Sequence, residues 1–148
     1  MATAAPAAPA RPRRWNVDID GICWLPRMAD KARMSANGKL GAYLMGHSPV
    51  DKALLIRLGT TTEEFVELAN QQPDDASLLG ALRARGFDEA RVRNWSSEFS
   101  KRYAGLISLW DLDEGYKPPT PFQRPFVALA KIVEFPLMSL YRRISSAP

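Results

Sequence analysis

The sequence predicts an all-α chain, on three observations. From Ile22 onward apolar residues recur at helical spacing. A Ser, Thr or Asp stands at a capping position before most of these runs. No window alternates strictly enough for a strand. The expected architecture is a compact bundle of about five short helices, followed by a Pro-rich connector and a C-terminal amphipathic helix.

Each helix has its own justification. Leu25, Met28, Ala29, Ala32 and Ala36 form one buried face, with Pro26 in the first turn and Asn37-Gly38 as the stop. Ser48-Pro49-Val50-Asp51 supplies a cap, a proline at the first helical position and an acid in the first turn. That second helix runs through Ala53, Leu54, Leu55 and Leu58 to Gly59. Thr61 and Glu64 have capping-box spacing ahead of Phe65, Val66, Leu68 and Ala69. Asp74 or Asp75 caps a fourth helix, Leu78 to Arg85, closed by Gly86. Asp88 caps a fifth, with Val92, Trp95, Phe99, Tyr103 and Leu106 along one face.

The chain divides into a flexible Ala/Pro/Arg arm (1–17), a helical domain (18–110), a Pro-rich connector (111–124) and an amphipathic C-terminal anchor helix (125–148). Its 148 residues suffice for a hydrophobic core, and 46% hydrophobic with 24% charged residues is ordinary globular composition. One cysteine, Cys23, excludes an internal disulfide, and with a single histidine it cannot build a structural zinc site. No apolar run approaches the roughly 20 residues of a membrane span. Pro6 and Pro9 interrupt any secretory apolar region and oppose a transit helix, so the arm is expected to belong to a cytoplasmic protein.

A pI near 9.5 raises the question of nucleic acid. Residues 1–17 hold three arginines and no acid, whereas residues 18–103 hold twelve bases and twelve acids. The excess charge therefore sits mostly in the arm, and a nucleic-acid face on the body is not expected. The glycines match neither the Walker nor the dinucleotide fingerprint, and no cofactor is expected.

The stretch from Asp20 through Leu25-Pro26-Arg27-Met28-Ala29-Asp30-Lys31-Ala32-Arg33 is similar to a bacterial family of domains of unknown function, number 5069. That family carries a Leu-Pro-Arg-Met-x-Asp-Lys-x-Arg stretch and then a Gly-x-Leu-Gly-x-Tyr segment, here Gly38 to Tyr43. Its Pro-x-Asp-x-x-Leu-Leu helix is here Pro49 to Leu55, ending at Leu58-Gly59, and the Trp95 helix resembles its last segment. The resemblance covers about residues 20–103. It departs at Gly46-His47-Ser48, where relatives often have a Cys before the Pro. It implies a small helical domain and no activity.

Arg27, Asp30, Lys31 and Arg33 form the densest polar cluster, and Asp30 is three residues from both Arg27 and Arg33, within pairing range on a helix. The first reading is that these charges solvate the helix face or fasten it to neighbouring loops. The alternative is a small anionic-ligand site or enzyme pocket lined by Arg27, Asp30, Lys31, Arg33, Tyr43 and His47, using the arginine fork. His47 with Ser48 and Cys23 does not make a nucleophile constellation: there is no elbow motif, Ser48 is a cap, His47 a turn residue and Cys23 a buried small group.

The segment after the connector carries the functional expectation. Arg124, Lys131, Glu134 and Arg142 fall on one narrow stripe, and apolar residues fill the remaining arc; Pro136 is expected to kink or split the helix. Three fates are open: it completes the chain's own core, lies in a membrane interface, or docks on a partner protein. The expected function is a non-enzymatic accessory protein on a larger assembly, which is expected at the cytoplasmic face of a membrane in one of these fates. Contacts are expected from Phe122, Phe126, Leu129, Val133, Leu137, Leu140, Tyr141, Arg142 and Arg143, with Arg13 and Arg14 of the arm adding charge.

Overall fold

The structure, a computed structural model, describes residues 6–126 together with Ala128, Leu129 and Ile132. The chain forms two compact units, Met1–Ser97 and Glu98–Pro148.

In the first unit the chain makes a two-stranded antiparallel hairpin, β1 (Asp18–Ile19) and β2 (Ile22–Cys23), with Asp18 opposite Cys23 and Ile19 opposite Ile22. No strand was expected here. The cause is Asp20-Gly21, whose φ angles of 50° and 77° are those of a two-residue hairpin loop, for which Asp-Gly is a favoured pair. Five helices follow: α1 (Leu25–Ala36), α2 (Pro49–Leu58), α3 (Thr62–Gln71), α4 (Asp75–Arg85) and α5 (Glu89–Ser97). The described residues are mostly helical, and the fold is all-α.

The caps fall where local chemistry puts them. Ser48 Oγ accepts the Asp51 N–H, Asp74 accepts the Ser77 N–H, and Asp88 accepts the Arg91 N–H. Thr61 and Glu64 close a reciprocal capping box. Gly59 ends α2 in the left-handed region. The core gathers Ile22, Leu25, Met28, Ala29 and Ala32 with Val50, Leu54, Phe65, Leu78 and Val92, all buried. α1 packs against α3 and against β1.

In α1 every residue from Leu25 to Met34 is buried, charged ones included. A helix buried on all sides cannot solvate a polar face, so that part of the expectation fails; the charges fasten the helix instead.

In the second unit the long fifth helix expected through Leu106 is broken. α5 ends at Ser97, α6 (Phe99–Arg102) follows Glu98, and α7 (Ala104–Asp113) follows Tyr103. Glu98 (φ −92°, ψ 0°) and Tyr103 (φ −111°, ψ 21°) sit in the bridge region, which turns the chain without a proline or glycine to announce it. Phe99 and Tyr103 pack ring to ring at 4.7 Å. Ile107 and Asp111 are buried on one side of α7, leaving Leu106 and Leu109 exposed. Within the expected connector, the Thr120 carbonyl accepts the backbone N–H groups of Gln123 and Arg124, and a helical run starts there. The described residues from Arg124 to Ile132 are helical, as expected. Val133, Pro136 and the expected contacts Leu137, Leu140, Tyr141, Arg142 and Arg143 lie outside the described residues.

Candidate functional site

The charged residues of α1 organise two ionic centres. In the first, the fully buried Asp51 of α2 receives the Lys31 ammonium at 2.6 Å on each oxygen, the Trp24 indole N–H at 2.8 Å and the Gly46 N–H at 2.8 Å. Lys31 also donates to the Leu44 carbonyl at 2.9 Å. A carboxylate and an ammonium removed from water persist only with such complete partnership. The centre ties α1 and α2 to the loop 37–48. Gly46 fits there because its φ is 77° and a Cβ would run into the Thr62 side chain.

Trp24 caps α1 at φ 68°, a left-handed conformation that is costly for a bulky residue. Its neighbours hold it there. The indole N–H is on Asp51, and Arg27 and Lys31 lie 5.1 and 5.2 Å from the ring. Arg27 is also 5.7 Å from the half-buried Tyr43 ring and donates to the Arg13 carbonyl at 2.8 Å.

The second centre joins the N-terminal segment to α1 and α4. Arg13 grips Asp30 with both Nε and Nη2 at 2.8 Å, and its own backbone N–H reaches the same carboxylate at 2.8 Å. Its Nη1 lies 2.6 Å from Asp75, which also takes Arg33 at 2.9 Å. Asp30 therefore pairs with an arginine 17 residues away rather than with Arg27 or Arg33 on its own helix. The reason is burial: inside the fold, a carboxylate takes the guanidinium that arrives with the right fork geometry.

Burial by itself raises the Asp75 carboxyl, but the hydrogen bonds from Arg13 and Arg33 outweigh it and hold the group below the ordinary aspartate range. A carboxylate depressed in the folded state contributes stability that is complete above the unfolded value of about 4 and is lost as pH falls below it. Asp75→Asn is accordingly expected to be less stable than the parent at pH 7. The difference should narrow as pH falls below the unfolded aspartate value of about 4, as followed by urea melts at each pH.

Ser48, His47 and Cys23 each take up a local setting in the structure. Ser48 Oγ is engaged by α2, and His47 is half-buried in the turn. Cys23 is buried, its N–H donating to Ser96 Oγ at 2.7 Å and its thiol facing the Ser96 carbonyl at 3.6 Å. Burial pushes this thiol up. Modification by a thiol reagent at pH 8 is expected to be about a hundredfold or more slower in the native chain than in urea. Among the described residues, no group of three or more His, Cys, Asp and Glu is placed to hold a metal, and no helix is long and apolar enough to cross a membrane.

The charged residues of the set proposed on Arg27–Arg33 are thus divided between two centres, engaged by Arg13, Asp51 and Asp75 rather than by one another. Arg13, expected as a contact for a partner, is spent on Asp30 and Asp75. Arg14 is half-buried beside it, accepting the Val17 N–H. The C-terminal contacts fare differently. Phe122, Phe126, Leu129 and Ile132 are exposed by 81, 62, 59 and 73%, and the two phenylalanine rings lie 6.0 Å apart. Sequence reasoning missed Asp51 and Asp75 as ionic centres. Both stand in the first turns of their helices, where an acid is already explained by the helix dipole.

The family model described as Domain of unknown function (DUF5069) matches residues 10–119, wider than the 20–103 of the resemblance. No curated protein matches the chain. The matched range takes in Arg13, Asp30, Asp51 and Asp75 and stops short of Phe122.

Proposed function

The chain belongs to the DUF5069 family, and we propose that it is a non-enzymatic, cytoplasmic accessory protein whose C-terminal segment docks on a partner protein of a larger assembly. The observation that supports this reading is the row Phe122, Phe126, Leu129 and Ile132, large apolar side chains left in water. The spacing of three and three residues keeps Phe126, Leu129 and Ile132 on one side of the helix, and Phe122 stands in the turn just before it. Isolated surface leucines need no explanation, but two phenylalanines with two aliphatic neighbours on one turn and the helix that follows it do.

Magnitudes bear on what the partner must cover. Burying four such side chains returns about 6–12 kcal/mol gross. The cost of association, roughly 4–15 kcal/mol, absorbs most of that. Stable docking therefore draws also on the apolar residues that follow in sequence, from Val133 to Ile144. The engagement of Arg27, Asp30, Lys31 and Arg33 by Arg13, Asp51 and Asp75 favours this reading over a ligand site on α1, because those groups already hold the fold together.

The test is fractionation of cells carrying the full chain beside Phe122→Asp/Phe126→Asp. The parent is expected to migrate in a complex larger than its 16.5 kDa and the variant as a folded free chain. A variant that is folded and migrates with the parent would refute the proposal. Sedimentation of the parent with protein-free lipid vesicles would replace the protein partner with a membrane surface.

A further inference from the structure

The second unit carries another apolar feature, on α7. Leu106 and Leu109 are 40 and 62% exposed, although Ile107 and Asp111 on the other side of the helix are buried. An exposed charge stands four residues outside each leucine, Arg102 before Leu106 and Asp113 after Leu109. At about 100° per residue, Arg102, Leu106, Leu109 and Asp113 fall within an arc of about 60°. Arg102 precedes the break at Tyr103. The Tyr103 and Ile107 amides nevertheless each bond the carbonyl four residues back, which carries helical spacing from Arg102 into α7.

The stripe is its own complement. Its order is basic, apolar, apolar, acidic at spacings of four, three and four, the same from either end with the charges exchanged. When it is laid antiparallel on a second copy, Leu106 meets Leu109 and Arg102 meets Asp113, and a two-fold axis makes each contact twice. An isologous contact requires this self-complementarity of a surface, whereas an unrelated partner does not. The end charges are available for it. Asp113 forms no ion pair among the described residues, and Arg102 has an exposed pair with Glu98 at 3.1 Å, of the kind that contributes little. Gly105 flanks the stripe, and a Cβ there would meet nothing of the chain itself within 4 Å, which leaves room for a second helix at close range.

We propose that this face of α7 is a homodimer contact, occupied by α7 of a second copy of the chain packed antiparallel across a two-fold axis. The leucines supply the contact. The end charges fix its direction, since parallel packing would set Arg102 against Arg102 and Asp113 against Asp113. Two leucines from each copy make a contact well below a standard interface, so the dissociation constant is expected on the order of 100 µM. This assignment does not rest on the row from Phe122 to Ile132.

The test is sedimentation velocity of the purified full-length chain from about 10 µM to about 1 mM, a range that brackets the expected constant. The parent is expected to pass from monomer to dimer across it, and Leu109→Asp to stay monomeric, because symmetry removes two apolar contacts at once. Arg102→Asp and Asp113→Arg each place like charges together twice in the homodimer, and each is expected to associate about tenfold more weakly than the parent. Mixed in equal amounts, these two variants are expected to pair with one another at parent strength. The double variant Arg102→Asp/Asp113→Arg should restore the homodimer. Phe122→Asp/Phe126→Asp is expected to dimerise like the parent. A parent that is monomeric at about 1 mM, or a dimer that folded Leu109→Asp leaves intact, would overturn the proposal. If Leu109→Asp does not fold, the charge variants decide: no rescue on mixing or in the double variant overturns the antiparallel contact. Loss of the dimer in folded Phe122→Asp/Phe126→Asp would overturn it in favour of the C-terminal row.

Discussion

Asp51→Ala is expected to cost about 3–5 kcal/mol, the range for removing one partner of a buried ion pair. A domain of this size holds on the order of 5–15 kcal/mol, so the variant should lose a large fraction of its stability and melt well below the parent. Three losses coincide. The Lys31 ammonium remains buried without its counter-charge, and the Trp24 indole and the Gly46 amide lose their acceptor. The mechanism makes a sharper prediction for the double variant Lys31→Met/Asp51→Leu. It removes the uncompensated ammonium and leaves only two orphaned donors, each worth about 1–3 kcal/mol. The double variant is therefore expected to be more stable than Asp51→Ala alone, although it carries more changes. Urea melts of the parent, the single and the double variant check the order. A double variant less stable than the single would mean that Lys31 finds another partner when Asp51 is gone.

The second large effect concerns Arg13. Arg13→Ala strips Asp30 of its cation while the carboxylate stays 6% exposed, and is expected to cost about 2–3 kcal/mol. The figure is smaller than for Asp51 because Arg13 is partly solvated and water can follow as the side chain is removed. Arg13→Lys keeps the charge and loses the fork, and should fall between the two. Loss of Arg13 also removes one of the two groups that depress Asp75, so the variant should lose less of its remaining stability in acid than the parent does. Melts at pH 7 and pH 3 give both quantities. Parent-like stability of Arg13→Ala at pH 7 would show that the N-terminal segment is a passive tail.

How much of this was legible in the sequence depends on the range of the interaction. Ser48, Thr61 with Glu64, Asp74 and Asp88 cap helices through bonds three residues long, and the sequence carries both ends of each. The Asp20-Gly21 hairpin was equally local, and its Asp-Gly pair was the signal for it. The ionic centres were not legible. Asp30 offers pairs at three residues on either side, and spacing has no means of preferring an arginine 17 positions upstream. Lys31 and Asp51 are 20 apart, and each has an adequate local explanation as a surface charge or a first-turn acid. Their burial is a property of the packed fold. The breaks at Glu98 and Tyr103 carry no proline and no glycine at the break itself, so periodicity ran through them. The apolar arc of the C-terminal helix was legible from its spacing, but whether the chain's own core covers it was not.

The C-terminal docking proposal is tested most directly by placing a photo-crosslinking amino acid at Phe126 of the full chain, with Lys52 of α2 as the exposed control. Irradiation in intact cells is expected to give a discrete protein adduct from position 126 and none from position 52. The adduct should vanish when Leu129 and Ile132 are changed to Asp. An absence of any protein adduct at 126 under conditions where the chain is abundant and folded would contradict the account, and would leave the exposed row without the partner assigned to it.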